Sequence, residues 1–184
     1  MNIAQNGSWL CETSEPHGFD EPLARAILVQ MMDWKADGVK DFGCGSGAYV
    51  EYFNRHGFWA VGYDGNPNTQ HFGNPSCYIQ DLSVPFDVGV CDVILSLEVG
   101  EHIPQQFEQM FLDNLAVHAG KHLILSWFPR PGHGIGHVNE RPNDYIIREM
   151  MRRRFEYEPD VTAKLREAST LWWFKESIMV YERR

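Results

Sequence analysis

Three alternating glycines, in the run Gly43-Cys44-Gly45-Ser46-Gly47, stand between a short apolar strand pattern at residues 39–42 and a helical pattern at 49–56. A glycine-rich turn from strand to helix lets a ligand approach the backbone closely and offers it the free N–H groups of the helix start. In dinucleotide-binding folds the spacing is G-x-G-x-x-G and the ligand is a pyrophosphate. Here the spacing is G-x-G-x-G, with Asp41 two residues before the first glycine. A carboxylate beside the turn is a poor neighbour for pyrophosphate and a good one for a ligand carrying an ammonium group.

Around this turn, strand and helix patterns alternate. A helix is expected over residues 21–34, with Asp20 as its N-cap and Pro22 in its first turn. Strands are expected at 58–63, 77–80, 92–97 and 122–128, and helices at 104–119 and 143–154. The first of these strands stops at the turn-forming Asp64-Gly65-Asn66-Pro67. Two further strands are read at 155–158 and 173–182, so that Leu171-Trp172-Trp173-Phe174-Lys175, which could also be an aromatic ligand platform, falls at strand spacing and reads as core. The alternation implies a mostly parallel sheet covered by helices on both faces. The 184 residues suit one domain, 1–184, with no repeat or linker to divide it.

Charge and cysteine usage narrow the function classes. A formal net charge of −9 repels a phosphate backbone, so no nucleic-acid partner is expected. Arg152, Arg153 and Arg154 read as a solvated helix end. Cys11, Cys44, Cys77 and Cys91 form no C-x-x-C pair, so a structural zinc site is not expected, and buried reduced thiols imply a cytoplasmic location. No signal peptide is read at the N-terminus, and no apolar stretch approaches the roughly 20 residues needed to span a bilayer.

Residues 41–47 resemble the first motif of class I S-adenosylmethionine-dependent methyltransferases, and later motifs follow in order along nearly the whole chain. The resemblance implies a doubly wound α/β domain with a mostly parallel seven-stranded sheet whose last strand is antiparallel. It implies S-adenosylmethionine as cofactor, held by Asp41, Gly43, Gly45 and Gly47 and by Asp64 with Gly65 at the end of the second strand. Asp64 lies where the family places the acid that binds the ribose hydroxyls. Asp81 and the backbone of Leu82 fit the adenine contact after the third strand. Leu97 and Glu98 end the fourth strand beside the methyl donor.

The loops after the fourth and fifth strands open on the same sheet edge. Glu98-Val99-Gly100-Glu101-His102-Ile103-Pro104 resembles the stretch of some metal-dependent O-methyltransferases, those of the ubiquinone pathway and the small-RNA 2′-O-methyltransferases, the latter with a further histidine after the fifth strand. Glu98, Glu101, His102 and His133 or His137 would then hold Mg²⁺, Mn²⁺ or Zn²⁺. Two other readings stand beside it: His102 as a base without metal, with Glu101 and His137 as further catalytic candidates, and a purely structural cluster. In this fold the N-terminal segment, residues 1–20, commonly lies across the active site, which brings in Trp9 and His17 as substrate contacts. The loop at 129–141 is the substrate side, with His133, and Trp127 is grouped with these contacts.

The expected function is methyl transfer to a small-molecule acceptor, with oxygen slightly favoured as the methylated atom. The alternatives are a protein or peptide methyltransferase and a non-catalytic, cofactor-binding regulator. Nothing in the sequence signals an oligomeric state.

Overall fold

A computed structural model describes residues 2–13, 18–130, 132 and 134–184. Helix α1 (Glu21–Asp33) begins where the sequence places it: the Asp20 side chain accepts a hydrogen bond from Leu23 N at 3.2 Å and Pro22 occupies the first turn. There follow β1 (Val39–Phe42), α2 (Ala48–Arg55), β2 (Ala60–Asp64), β3 (Cys77–Ile79) and β4 (Cys91–Ser96). The second half contributes α3 (Glu108–His118), β5 (Ala119–Ser126), α4 (Asn143–Arg152), β6 (Phe155–Tyr157), α5 (Pro159–Ala168), α6 (Phe174–Ser177) and β7 (Ile178–Arg183).

The seven strands form one sheet in the order β3-β2-β1-β4-β5-β7-β6. All pairings are parallel except those of β7, which runs against both β5 and β6. β1 pairs with β2 on one side (Val39↔Ala60) and β4 on the other (Val39↔Val93), so the order of connection reverses at β1 and β4. Loops leave a doubly wound sheet in opposite directions at such a point and open a crevice beyond the carboxyl ends of the strands.

Strand alternation divides the core in two. Val93 and Leu95 pack with Leu23, Ile27, Val50 and Phe53, the buried faces of α1 and α2. Ile94 packs with Phe111, Leu112, Ile146 and Met150, those of α3 and α4. Each strand thus feeds two apolar layers. All four cysteines are buried and free. Among the described residues, no helix is long and apolar enough to cross a membrane.

Two elements differ from expectation. α5 is absent from the sequence reading because it buries only Thr162 and Leu165, too few apolar positions to give a helical period. β7 begins at Ile178, not near residue 173, because the preceding residues turn into the short α6. Asp20 ties this turn down: beyond capping α1, its Oδ2 accepts hydrogen bonds from Ser169 Oγ (2.6 Å), Thr170 N (2.7 Å) and Leu171 N (3.0 Å).

Candidate functional site

The crevice is a cavity of about 670 Å³ over the carboxyl ends of β1, β2 and β4. Its floor is the glycine turn. Gly43, Gly45 and Gly47 all have positive φ (89°, 55° and 78°). At Gly43 the constraint is double, because a Cβ there would also lie 2.2 Å from Val99 Cγ2. The turn is fastened to β2: Gly45 N donates to Asp64 Oδ2 at 2.8 Å, and Asn66 N donates to Asp64 Oδ1 at 2.8 Å. The acid at the end of the second strand therefore belongs to the same rigid unit as the turn.

Asp41, 4% exposed, lines the cavity where β1 enters the turn. Burial, and then the negative charge of Asp64, push its carboxyl up to about 8. Gly65, Leu82, Leu97 and Glu98 also line the cavity. Gly47 and Asp81 stand one layer back from this wall. Gly47 is the N-cap residue of α2. The Asp81 carboxylate accepts from Ser83 N (2.8 Å) and Ser83 Oγ (2.7 Å). Burial raises the Asp81 pKa, but hydrogen bonds from Ser83 and Asn6 outweigh it and leave the group below its ordinary value.

Beyond Leu97 the cavity turns toward the cluster after β4. Glu98 holds a left-handed backbone, φ 55°, that a side chain disfavours. Hydroxyls keep it there: Glu98 N donates to Ser126 Oγ (2.7 Å), and Ser126 Oγ (2.8 Å) and Ser177 Oγ (2.9 Å) donate to Glu98 Oε1. The turn after β4 is not helical, so Glu98 does not join Glu101 and His102 on one helix face. The structure instead gathers Glu101, His102 and His137, each with a ligand atom within 4.8 Å of the others.

Glu101 is 0% exposed, and its carboxylate stands against the Glu98 carboxylate and the Glu101 and Phe128 backbone, with no hydrogen bond of good geometry among the described residues. Burial and the neighbouring Glu98 hold its pKa well above the ordinary carboxyl range. Its backbone carbonyl accepts from Val138 N (2.9 Å) and Asn139 N (3.0 Å), which draws the 129–141 loop onto the cluster. His102 is pulled down to about 4, chiefly by burial, so its ring is neutral at physiological pH. Trp9 Nε1 donates to His102 Nδ1 at 3.2 Å, and Gly136 O lies 3.1 Å from the same nitrogen. The two contacts require opposite tautomers. With the proton on Nδ1 toward Gly136, the Nε2 lone pair is exposed for use.

His137 stands edge-to-face with His102 at 4.8 Å. Gly134 passes so close over the His137 imidazole that a Cβ would lie 2.3 Å from its Cε1. The loop is anchored behind this point by Glu108, which sequence reasoning missed. Its carboxylate accepts from Asn139 Nδ2 (3.0 Å), Arg141 Nε (2.6 Å) and Tyr145 OH (2.5 Å). Of the N-terminal segment, Gly7, Ser8, Trp9 and Gly18 line the cavity. His17 and His133 lie outside the described residues.

Residues 40–116 match the family described as "Methyltransferase domain". Over this stretch, rather less than half of the chain, the sequence matches a methyltransferase domain. Among curated relatives, a probable chloroplastic tocopherol O-methyltransferase of Oryza sativa subsp. japonica is 29% identical over 125 residues, covering 60% of this chain and 34% of the relative. An uncharacterized methyltransferase of Mycobacterium sp. (strain KMS) is 32% identical over 109 residues, covering 50% of this chain and 43% of the relative. The chain thus spans less than half the length of these relatives.

Solved methyltransferase structures share the fold at lower identity. CalS10, an amino pentose methyltransferase from Micromonospora echinaspora solved with S-adenosylmethionine, aligns with TM-score 0.69 at 13% identity, over 93% of this chain and 94% of that one. The magnesium protoporphyrin IX methyltransferase of Synechocystis PCC 6803, solved with S-adenosylhomocysteine, aligns with TM-score 0.66 at 17% identity, over 88% and 82%.

Two placements correct the sequence reading. Trp127 is not a substrate contact: it is 0% exposed, lies within the core beside Phe111 and donates its Nε1 proton to Asn139 O at 2.7 Å. Its neighbour Phe128 lines the cavity instead, because successive residues leaving β5 face opposite ways. Conversely, Trp172 and Trp173 are not core strand residues but cavity wall, since the chain turns there before β7. Trp127→Ala is expected to lower stability by about 3–5 kcal/mol, the cost of emptying a packed Trp site. At roughly 2–4 °C per kcal/mol, thermal melts would show a drop of at least several degrees. An unchanged melting temperature with a raised KM would return Trp127 to the substrate wall.

Proposed function

We propose that this domain transfers a methyl group from S-adenosylmethionine to a small-molecule acceptor, with oxygen as the favoured acceptor atom. The observation that carries the reading is one continuous cavity. Asp41, Gly45 with the linked Asp64, Leu97, Glu98, His102 and His137 all line it. Asp41 would face the amino-acid end of the cofactor and Asp64 its ribose. The sulfonium is an activated donor, so much of the acceleration comes from holding the acceptor in line with the methyl group. An acceptor hydroxyl must also lose its proton, and His102 lines the cavity as the candidate to receive it; the burial that keeps its ring neutral also lowers its basicity, so an ionisable hydroxyl such as a phenol suits it best.

Glu101, His102 and His137 also fit a divalent cation. A buried carboxylate with ligand atoms of two imidazoles within 4.8 Å is a donor set suited to Mn²⁺ or Zn²⁺. Glu98 does not join this set, because its Oε1 is held by Ser126 and Ser177. When bound there, a cation would lower the pKa of an acceptor hydroxyl.

Calorimetry with S-adenosylmethionine and S-adenosylhomocysteine tests the cofactor reading. Asp64→Ala is expected to weaken binding at least tenfold, since a hydrogen bond to a charged group contributes about 1.5–3 kcal/mol. Parent-like affinity in Asp64→Ala would refute the ribose role, and preferential binding of a dinucleotide would refute the reading as a whole.

A further inference from the structure

Six ring side chains drawn from four separate stretches of chain follow one another in the cavity wall: Trp9, His102, His137, Phe128, Trp172 and Trp173. Successive centroids are 4.9, 4.8, 5.0, 6.0 and 5.9 Å apart, and the planes meet at 81°, 85°, 64°, 80° and 89°. Each ring therefore sets the plane of the next, the edge-to-face arrangement aromatic quadrupoles prefer. Trp172 is 52% exposed, and it is braced from outside: the Arg130 guanidinium lies 5.9 Å from its ring centroid and pairs with Glu176 at 2.5 Å. A large apolar ring fixed in place but left uncovered at a cavity mouth is a surface for a ligand.

Charge narrows the ligand further. Among the described residues lining the cavity there is no Lys or Arg, and the formally charged ones are Asp41, Asp64 and Glu98. An anionic acceptor would find no cationic side chain in the lining, since Arg130 behind Trp172 is already paired with Glu176. A cationic acceptor would have to sit beside the sulfonium of the donor, a like charge in a poorly solvated space.

We propose that the acceptor is an uncharged aromatic molecule held ring-to-ring by this arc, with Phe128 and Trp172 as its specificity-determining contacts. The proposal rests on the methyl-transfer reading above. The test is calorimetric, on protein saturated with S-adenosylhomocysteine, with three probes sharing one ring system: 1-naphthol, 1-naphthoate and protonated 1-naphthylmethylamine. The expected result is saturable binding of 1-naphthol, tighter than either charged probe by roughly tenfold or more, and a loss of similar size in Trp172→Ala with S-adenosylhomocysteine still bound. Equal or tighter binding of the carboxylate or the ammonium probe would overturn the proposal. So would no binding of 1-naphthol to the loaded protein, or parent-like binding in Trp172→Ala. These failures leave the cofactor reading standing. Failure of S-adenosylhomocysteine itself to bind marks the separate failure of the methyl-transfer reading, and the acceptor proposal falls with it.

Discussion

Alanine at position 102 is expected to lower kcat/KM for methyl transfer by roughly 10²–10⁴, the usual contribution of a positioned proton acceptor. His102 is 9% exposed, and its ring is held between Trp9 and His137, 4.9 and 4.8 Å from their centroids. Burial keeps it uncharged, so a lone pair is available at neutral pH without prior loss of a proton. Melting temperature and S-adenosylhomocysteine affinity, measured on the same variant, separate loss of chemistry from loss of fold. Activity of the parent in chelator then divides the two routes. Inactivity restored by Mn²⁺ or Zn²⁺ would assign the effect to a cation on Glu101, His102 and His137. Full activity in chelator would leave the imidazole itself as the proton acceptor. A His102→Ala enzyme retaining more than about a tenth of the parent rate would remove His102 from both routes.

Asp41→Asn is expected to make the ligand-free protein more stable and cofactor binding weaker. The Asp41 carboxyl is buried beside Asp64 and titrates near 8 in the folded chain, against about 3.9 in an unfolded one. Below pH ~4 both states hold the proton and the group contributes no slope. Between ~4 and 8 the unfolded chain has lost a proton that the folded chain still carries, so stability falls as pH rises, by up to roughly 1.4 kcal/mol per unit. Asparagine has no such titration. Its advantage over the parent should therefore grow from pH 5 to pH 8 and reach several °C in melting temperature.

A cationic amino group next to Asp41 reverses the balance, because it favours the ionised carboxylate. Binding below pH 8 should then release a proton, and parent affinity should rise toward tenfold per pH unit up to about 8. The ligand's own amino group titrates identically against both proteins, so the difference between parent and Asp41→Asn isolates Asp41. Calorimetry in buffers of different ionisation enthalpy counts the proton. Parallel stability–pH curves for the two proteins would show that Asp41 does not carry this titration.

The architecture was legible in the sequence because it rests on local signals. Proline and an Asp N-cap start α1, glycines break the elements, and buried strands read as apolar runs, so the alternation that forces a doubly wound sheet is written residue by residue. The glycine turn and its flanking acids were legible for the same reason. Asp41, the glycines and Asp64 sit at strand ends, and the βα unit fixes the distance between them, so sequence spacing is nearly spatial spacing.

The histidine and aromatic wall of the cavity was not. Which of Trp127 and Phe128 faces the cavity depends on how the chain leaves β5, and the sequence marks both only as apolar. Trp172 and Trp173 look like core until Asp20, some 150 positions away, captures Ser169, Thr170 and Leu171 and turns the chain before β7. Glu98 left the ligand set because two serines from other elements hold its carboxylate, while Glu101 and His137 met because the 138–139 backbone binds the Glu101 carbonyl. These are contacts between residues distant in sequence. Periodicity and spacing carry no record of them, so the place of the glycine turn and its acids was determined by the sequence alone, and that of the histidine and aromatic wall only by tertiary packing.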